Sequence, residues 1–213
     1  MSPTGMCIPG GEEDGTFAGA SLTDFPDLGR VAVGIHHEND IKCLDYYKLV
    51  EASHQMPEYV QFCNHPALTD FVKYFKGWSD TTLYQRTLLR ANLPGSSPTN
   101  MHYDQIFLRE GDPSFLTAWI PIGDFDLKGG GLIYLENSVP IARAWEEKWQ
   151  TAASRLPAEE KSSAFNVTMK GEGAFPTNAG DFAEQHKRRW LVANYEAGDV
   201  VFHDGFMIHA SLS

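Results

Sequence analysis

The chain has 213 residues, enough for one sizeable hydrophobic core and too few for two comfortable domains. Its 17 basic and 28 acidic residues give a formal net charge of −11, and without a long basic run this charge disfavours nucleic acid and anionic membranes as partners. The first residues do not resemble a secretion signal, and no apolar run approaches the ~20 residues that span a bilayer. Because the three cysteines are few and lack metal-site spacing, we predict a cytoplasmic globular protein with reduced thiols.

The first part of the chain predicts helices. Residues 1 to about 25 are rich in glycine and acidic residues, and we expect them to form a loose lead-in. Residues 41–54 predict one helix, and a second helix begins at Pro66, which suits a first turn, and ends at Gly77. The second helix has apolar residues at spacings of three and four, namely Leu68, Phe71, Val72 and Phe75. We expect both helices to cover a sheet, with their aromatic side chains in the core.

From Thr82 onward the sequence predicts strands. Residues 82–91 carry β-forming residues and end at a Pro/Gly-rich turn. Three more strands are predicted, at residues 102–108, 115–122 and 132–135. The loop 123–131 contains three consecutive glycines, but neither a Lys-Ser/Thr pair nor a helix follows it. We therefore interpret this loop as a tight turn between strands and not as a phosphate cradle.

The last third of the chain mixes helices with short strands. We predict helices at residues 139–154 and 181–189, and between them a long polar insertion, 155–180, of the kind that forms lids over sites. The final strands are predicted at residues 190–195, 199–203 and 207–211. Many short strands with Gly/Pro turns and flanking helices predict one mainly β domain over residues 1–213, an antiparallel double sheet of the jelly-roll kind.

One short motif in this β region has the chemistry of a metal site. Side chains alternate along a strand, so His102 and Asp104 are expected on one face and Tyr103 on the other. One imidazole and one carboxylate on one face supply two-thirds of a 2-His-1-carboxylate iron site. The third ligand must come from elsewhere, and we favour His209, 107 residues later. The rival is His203, which has the sequence context of an ordinary surface residue.

A simpler interpretation of the motif also stays open at this point. His102 and Asp104 can form a buried hydrogen bond, or lie on a solvated strand face, without binding any metal. The position of the motif, after a Pro/Gly-rich turn and before an apolar segment, favours the metal site.

Four segments of the chain, in their order along the sequence, resemble the phytanoyl-CoA dioxygenase (PhyH-like) family of iron(II)/2-oxoglutarate oxygenases, in particular its fungal, secondary-metabolite members. The segments are residues 102–105, 117–124, 129–138 and 197–211. Each segment alone is weakly specific, but their order and spacing over residues 82–213 are more specific.

The resemblance implies a fold, a cofactor and a set of site residues. The fold is a double-stranded β-helix (jelly roll, cupin-like), and the iron ligands are His102, Asp104 and His209. The resemblance also implies an aromatic residue near 2-oxoglutarate, matched by Trp119, with Thr117 and Asn100 as weaker candidates. Tyr134 is a further candidate for hydrogen bonding a bound acid, although a core tyrosine explains it as well.

Family members also carry an arginine shortly beyond the distal histidine, which pairs with the 2-oxoglutarate carboxylate. A planar guanidinium suits that task because it donates two parallel hydrogen bonds. The sequence ends at Ser213, before any such arginine. We expect the natural chain to continue through a further strand to this residue; otherwise Arg86 or Arg90 on the preceding strand would serve.

The activity that the resemblance implies is a dioxygenase that uses Fe(II), 2-oxoglutarate and O2. Its substrate would be a small-molecule metabolite, with a place in natural-product biosynthesis suggested by the fungal members. Hydroxylation is the default outcome, and desaturation, epoxidation and cyclisation are alternative outcomes of the same kind of oxidation. Two alternatives stay open: a non-catalytic β-barrel binding protein, and a cupin-like metalloenzyme that does not use 2-oxoglutarate.

Overall fold

The computed structural model of the chain describes a defined set of residues. These are residues 6–7, 17–18, 52, 54–84, 87–89, 99–109, 112–124, 126–127, 130–157, 175 and 178–212. Arg86 and Arg90 lie outside this set, as do most of the predicted helix 41–54 and most of the predicted insertion 155–180. Residues 52 and 54 are described, and both are helical, as predicted.

Two helices, α1 (Pro57–Cys63) and α2 (Pro66–Lys76), each begin on a proline, whose fixed φ and missing N–H suit a first turn. The prediction of α2 is confirmed at both ends. The His65 side chain accepts a hydrogen bond from the backbone N–H of Ala67, and Gly77 ends the helix in the left-handed conformation, with φ +68°. The sequence did not predict α1.

The prediction that the aromatic side chains of α2 belong to the core is wrong. Phe71 is 45% exposed and Phe75 is 60% exposed. Phe71 still stacks on Phe202, with 5.0 Å between ring centroids. Helical spacing correctly places the aromatic residues on one face, but it does not determine whether another element covers that face.

The described strands form three small antiparallel sheets. In chain order the strands are β1 (Met6–Cys7), β2 (Phe17–Ala18), β3 (Leu116–Trp119), β4 (Leu132–Leu135), β5 (Trp190–Leu191), β6 (Val201–Asp204) and β7 (His209–Ser211). β1 pairs with β2, inside the segment expected to be a loose lead-in. β3 pairs with β6, and β4 lies between β5 and β7. The antiparallel arrangement agrees with the prediction, and the complete jelly roll stays a prediction for this chain.

Two predicted strands are wrong. Beyond Tyr103 the predicted strand 102–108 becomes a 3-10 helix, Asp104–Phe107, in which the N–H of Leu108 donates to the carbonyl of Gln105 at 3.0 Å. In the predicted strand 82–91, the described residues 82–84 and 87–89 are not in a strand. Of the other predicted strands, 132–135 is confirmed at both ends, whereas 115–122 and 190–195 are shorter than expected. A strand needs a neighbouring strand to complete its hydrogen bonds, and side-chain preference alone does not supply that neighbour.

Two further helices, α3 (Val139–Ala153) and α4 (Ala179–His186), agree with the predicted helices 139–154 and 181–189 to within a few residues. Together with β4, β7 and the segment before the 3-10 helix they enclose the core. Its largest fully buried apolar side chains are Tyr103, Phe182, Leu135 and Ile208. Phe175 packs against Tyr103 and Phe182, which fixes one end of the predicted insertion on this core. None of the helices in the described ranges has the length and apolar character needed to cross a membrane.

Candidate metal centre

The backbone brings His102 and His209 together although they are 107 residues apart. The N–H of His102 donates to the carbonyl of His209 at 3.0 Å, and the N–H of His209 donates to the carbonyl of His102 at 2.9 Å. Residues that exchange both hydrogen bonds lie directly opposite each other, so their side chains project to the same face. The two imidazole centroids are 4.3 Å apart.

Side chains from both neighbouring sheets face this pair. β4 sets Tyr134 directly opposite His209, which extends the row of His102 and His209 to a third residue. In the other sheet, β3 and β6 set Thr117 directly opposite His203. Thr117 and His203 thus form a second row. The rings of His203 and His209 are 4.5 Å apart, so this row lies next to the row of His102, His209 and Tyr134. The site therefore lies where the two sheets face each other.

Asp104 lies between these two rows, at the first residue of the 3-10 helix. Its Oδ1 is 3.5 Å from Nε2 of His102 and 3.6 Å from Nε2 of His209. Tyr103 points the opposite way, into the core, and is buried. The predicted division of these side chains between two faces is confirmed, because residues 102 and 103 are still extended even though the strand stops there.

The hydrogen bonds of the two histidines determine which nitrogen of each ring carries the proton. Nδ1 of His102 lies 2.7 Å from the carbonyl oxygen of Asn100, and Nδ1 of His209 lies 2.9 Å from that of Met207. A carbonyl oxygen only accepts, so both Nδ1 atoms carry the proton and donate. In the neutral ring, Nε2 then has a lone pair that faces Asp104, which is the tautomer and orientation that metal-binding histidines adopt.

The protonation of the cluster also suits a cation. Burial lowers the pKa of His209 to about 3, with help from the neighbouring His102 and His203, so its ring is neutral at physiological pH. Burial alone would raise the pKa of Asp104, but the neighbouring histidines outweigh it, with His203 donating to the carboxylate, and hold that pKa well below its usual value. The centre thus combines an ionised carboxylate with neutral imidazole.

His203 has a role in the site that the sequence did not predict. The interpretation of His203 as an ordinary surface residue is wrong, because its side chain is only 3% exposed. Its Nε2 donates to Oδ2 of Asp104 at 3.1 Å, and its Nδ1 lies 3.1 Å from the hydroxyl of Tyr134. The sequence alone does not show the pairing of β3 with β6. This pairing turns the side chain of His203 inward, opposite Thr117.

The geometry of His102, Asp104 and His209 fits a divalent metal ion. One potential ligand atom from each residue lies within 4.8 Å of the other two. Imidazole and carboxylate ligands lie ~2.1 Å from a divalent ion, so adjacent octahedral ligands are ~3 Å apart. The observed separations of 3.5 and 3.6 Å are slightly wider, so a small inward movement would complete the coordination.

The other predicted site residues have different positions. The hydroxyl of Thr117 donates to Oδ2 of Asp104 at 2.6 Å. Trp119 is two residues further along β3, and its indole packs edge-on against Tyr195 with 4.8 Å between centroids. Asn100 is exposed and contributes its backbone carbonyl to His102. Arg90 lies outside the described residues, so its assignment stays a prediction.

Comparison with known proteins agrees with this centre. The sequence profile of the phytanoyl-CoA dioxygenase (PhyH) family matches residues 30–213. No curated protein and no solved structure matches the chain significantly. The family has the double-stranded β-helix fold, typically uses iron and points to an oxygenase. Since the match covers most of the sequence, the chain belongs to the phytanoyl-CoA dioxygenase (PhyH) family.

Proposed function

We propose that this protein is a non-haem Fe(II)/2-oxoglutarate-dependent dioxygenase that oxidises a C–H bond of a small-molecule metabolite. The observation that carries the proposal is the convergence of two Nε2 lone pairs and one carboxylate oxygen in a chain of the PhyH family. Carbonyl groups fix the tautomer of both histidines, so little rearrangement is needed before a metal binds. The proposed natural-product role rests on the resemblance to fungal family members alone.

His102, Asp104 and His209 would hold the iron on one face of its coordination sphere. These three ligands would leave room on the metal for a keto acid and dioxygen. Bound iron would supply the coupling of O2 reduction to the oxidation of 2-oxoglutarate to succinate and carbon dioxide, with the second oxygen atom going to the substrate. Asp104 keeps a 20% exposed side chain, so the centre is reachable from one side, whereas the histidines behind it are more buried.

The remaining predicted residues would line the approach to this centre. Trp119 lies on the same face of β3 as Thr117, so it would extend the pocket wall beside the metal. Asn100, Thr117, Tyr134 and Arg90 are the proposed contacts of 2-oxoglutarate. Of these, Thr117 donates a hydrogen bond to Asp104, and the hydroxyl of Tyr134 lies within hydrogen-bond distance of His203.

Turnover of 2-oxoglutarate tests the proposal. Purified protein supplied with Fe(II), ascorbate and 2-oxoglutarate should produce succinate, and His102→Ala and Asp104→Ala should reduce production to the level without enzyme. His65→Asn is the matched control, because His65 is exposed at the start of α2, where asparagine still caps the helix. Wild-type turnover in both ligand variants would contradict the assignment. Stoichiometric metal binding without any succinate would favour a metalloenzyme that does not use the keto acid.

A further inference from the structure

The two oxygens of Asp104 have different surroundings. Oδ2 accepts hydrogen bonds from the Thr117 hydroxyl at 2.6 Å and from Nε2 of His203 at 3.1 Å. Oδ1 instead faces the unprotonated Nε2 atoms of His102 and His209, at 3.5 and 3.6 Å. One oxygen therefore has its donors within the protein, and the other is directed towards atoms that cannot donate to it.

We propose that His203 is a positioning residue that, with Thr117, keeps Oδ2 of Asp104 occupied, so that the carboxylate binds the metal through Oδ1 alone. This inference rests on the metal site of the proposed function. It assigns His203 to the carboxylate and not to the metal.

The proton on His203 follows from its partners. An ionised carboxylate only accepts hydrogen bonds, so the Nε2 that contacts Asp104 must carry a proton. Nδ1 of the neutral ring is then free to accept from the hydroxyl of Tyr134 at 3.1 Å. His203 is thus the opposite tautomer to His102 and His209, although all three rings belong to one cluster.

This tautomer separates His203 from the metal ligands. A histidine coordinates a metal through an unprotonated nitrogen. To coordinate through Nε2, His203 would have to move its proton to Nδ1 and give up its hydrogen bond to Asp104. The backbone opposes such a movement, because β6 is paired with β3 at this residue, and the side chain is only 3% exposed.

Single-oxygen binding of Asp104 has a consequence for the chemistry. A carboxylate that binds through both oxygens takes two of the six octahedral positions, which leaves two after both histidines bind. Binding through Oδ1 alone would leave one more position, so that both a keto acid and dioxygen could bind. The hydrogen bonds to Oδ2 therefore preserve the open position that dioxygen would use.

The tautomers can be measured without any variant. Long-range ¹H–¹⁵N NMR of the metal-free full chain, with histidine labelled on the ring, distinguishes Nδ1–H from Nε2–H. We expect His203 as Nε2–H and His102 and His209 as Nδ1–H. Observation of His203 as the Nδ1–H tautomer would overturn the proposal even if every variant proved unstable.

Cobalt(II) titration of variants tests the effect on the metal. His203→Leu removes the donor to Oδ2 and should weaken Co(II) binding by ~10–100-fold. His203→Gln carries an amide N–H close to the position of Nε2 and should stay within a few fold of the wild type. Unchanged affinity in His203→Leu would overturn the proposal, as would equal loss in both variants, because a donor role predicts rescue by glutamine.

His102→Ala separates this inference from the proposed function on which it rests. If His102→Ala loses Co(II) binding and His203→Leu binds Co(II) like the wild type, the result supports the metal-site assignment. It then refutes only the role of His203. Failure of the wild type to bind Co(II) refutes both.

Discussion

The segment 101–109 has a buried polar cluster on each side, and the two differ in how their hydrogen bonds are completed. On one side, Glu146 accepts from the hydroxyl of Tyr103 at 2.8 Å, from Nε of Arg109 at 2.9 and 3.0 Å, and from Gln150 at 3.0 Å. The Arg109 guanidinium also lies over the ring of Trp149, 3.6 Å from its centroid. The charges of Glu146 and Arg109 thus balance, and the Glu146 carboxylate is saturated with donors, although Nη1 of Arg109 is buried without a hydrogen-bond partner.

The metal centre on the other side is unbalanced. Nε2 of His102, Nε2 of His209 and Oδ1 of Asp104 are all acceptors, and they converge without a proton between them. Converging lone pairs repel unless a cation lies among them. Burial and polarity alone therefore do not indicate a functional site. A carboxylate saturated with donors has a structural role, whereas a shortage of donors indicates a place for an ion.

The largest loss of stability should come from removing the carboxylate of the Glu146 cluster. Glu146→Ala leaves the buried Arg109, only 4% exposed, without its carboxylate partner. Such a loss typically costs about 3–5 kcal/mol in the free energy of unfolding. Urea denaturation should show this decrease, and the matched control Glu147→Ala, at an exposed position of the same helix, should stay near the wild type. A decrease below about 1 kcal/mol would show that the Glu146 cluster is not structural.

Metal binding at His102, Asp104 and His209 should stabilise the folded protein. At 100 times its dissociation constant, Co(II) should raise the free energy of unfolding by about 2.7 kcal/mol, because it binds the folded state. Chelation should reverse the gain, and His209→Ala should not show it. Equal stabilisation of His209→Ala would mean that the ion binds elsewhere.

The hydroxyl of Tyr103 links the segment to Glu146, and its removal should have an intermediate effect. Tyr103→Phe should lower the free energy of unfolding at neutral pH by about 2 kcal/mol, since its partner is charged. Burial, followed by the charge of Glu146, raises the pKa of Tyr103 above its usual value.

The raised pKa of Tyr103 sets the direction of the pH dependence. The unfolded chain loses this proton at a lower pH than the folded one, so the stabilisation is complete below about pH 10 and is lost as pH rises further. The wild type should therefore lose more stability than Tyr103→Phe between pH 9 and 11. Parallel curves for the two proteins would contradict the raised pKa.

The smallest change in stability should come from Thr117→Val. This substitution removes one of two donors to Oδ2 of Asp104 and should cost about 1 kcal/mol. Calorimetric titration should nevertheless show Co(II) binding weakened by about tenfold, because the orientation of Asp104 is less restricted. An unchanged affinity would mean that His203 alone holds this oxygen.

Local rules predicted the features that depend on neighbouring residues. Proline at the first turn and glycine at the end defined α2, and Gly130, with φ +80°, adopts the left-handed conformation expected of a tight turn. The opposite directions of His102 and Tyr103 required only that these two residues be extended. His209 was already favoured from the sequence as their partner, the family resemblance implied the same residue, and the pairing of β7 with residue 102 brings it there.

Features that depend on distant residues could not be predicted in this way. The inward direction of His203 requires the register of β3 against β6, and one sequence does not contain that register. The exposure of Phe71 and Phe75 depends on which elements pack against α2. The strand expected at 104–108 gave way to a 3-10 helix, whose start is tied to the β6–β7 turn by the bond from Gln105 N–H to the carbonyl of Gly205 at 2.8 Å.

Anomalous diffraction from crystals loaded with iron(II) under anaerobic conditions would test the metal centre most directly. The prediction is one ion bound by Nε2 of His102, Nε2 of His209 and a single oxygen of Asp104, with His203 still donating to the other oxygen. An ion held by His203, by both oxygens of Asp104, or by none of the three ligands would contradict it.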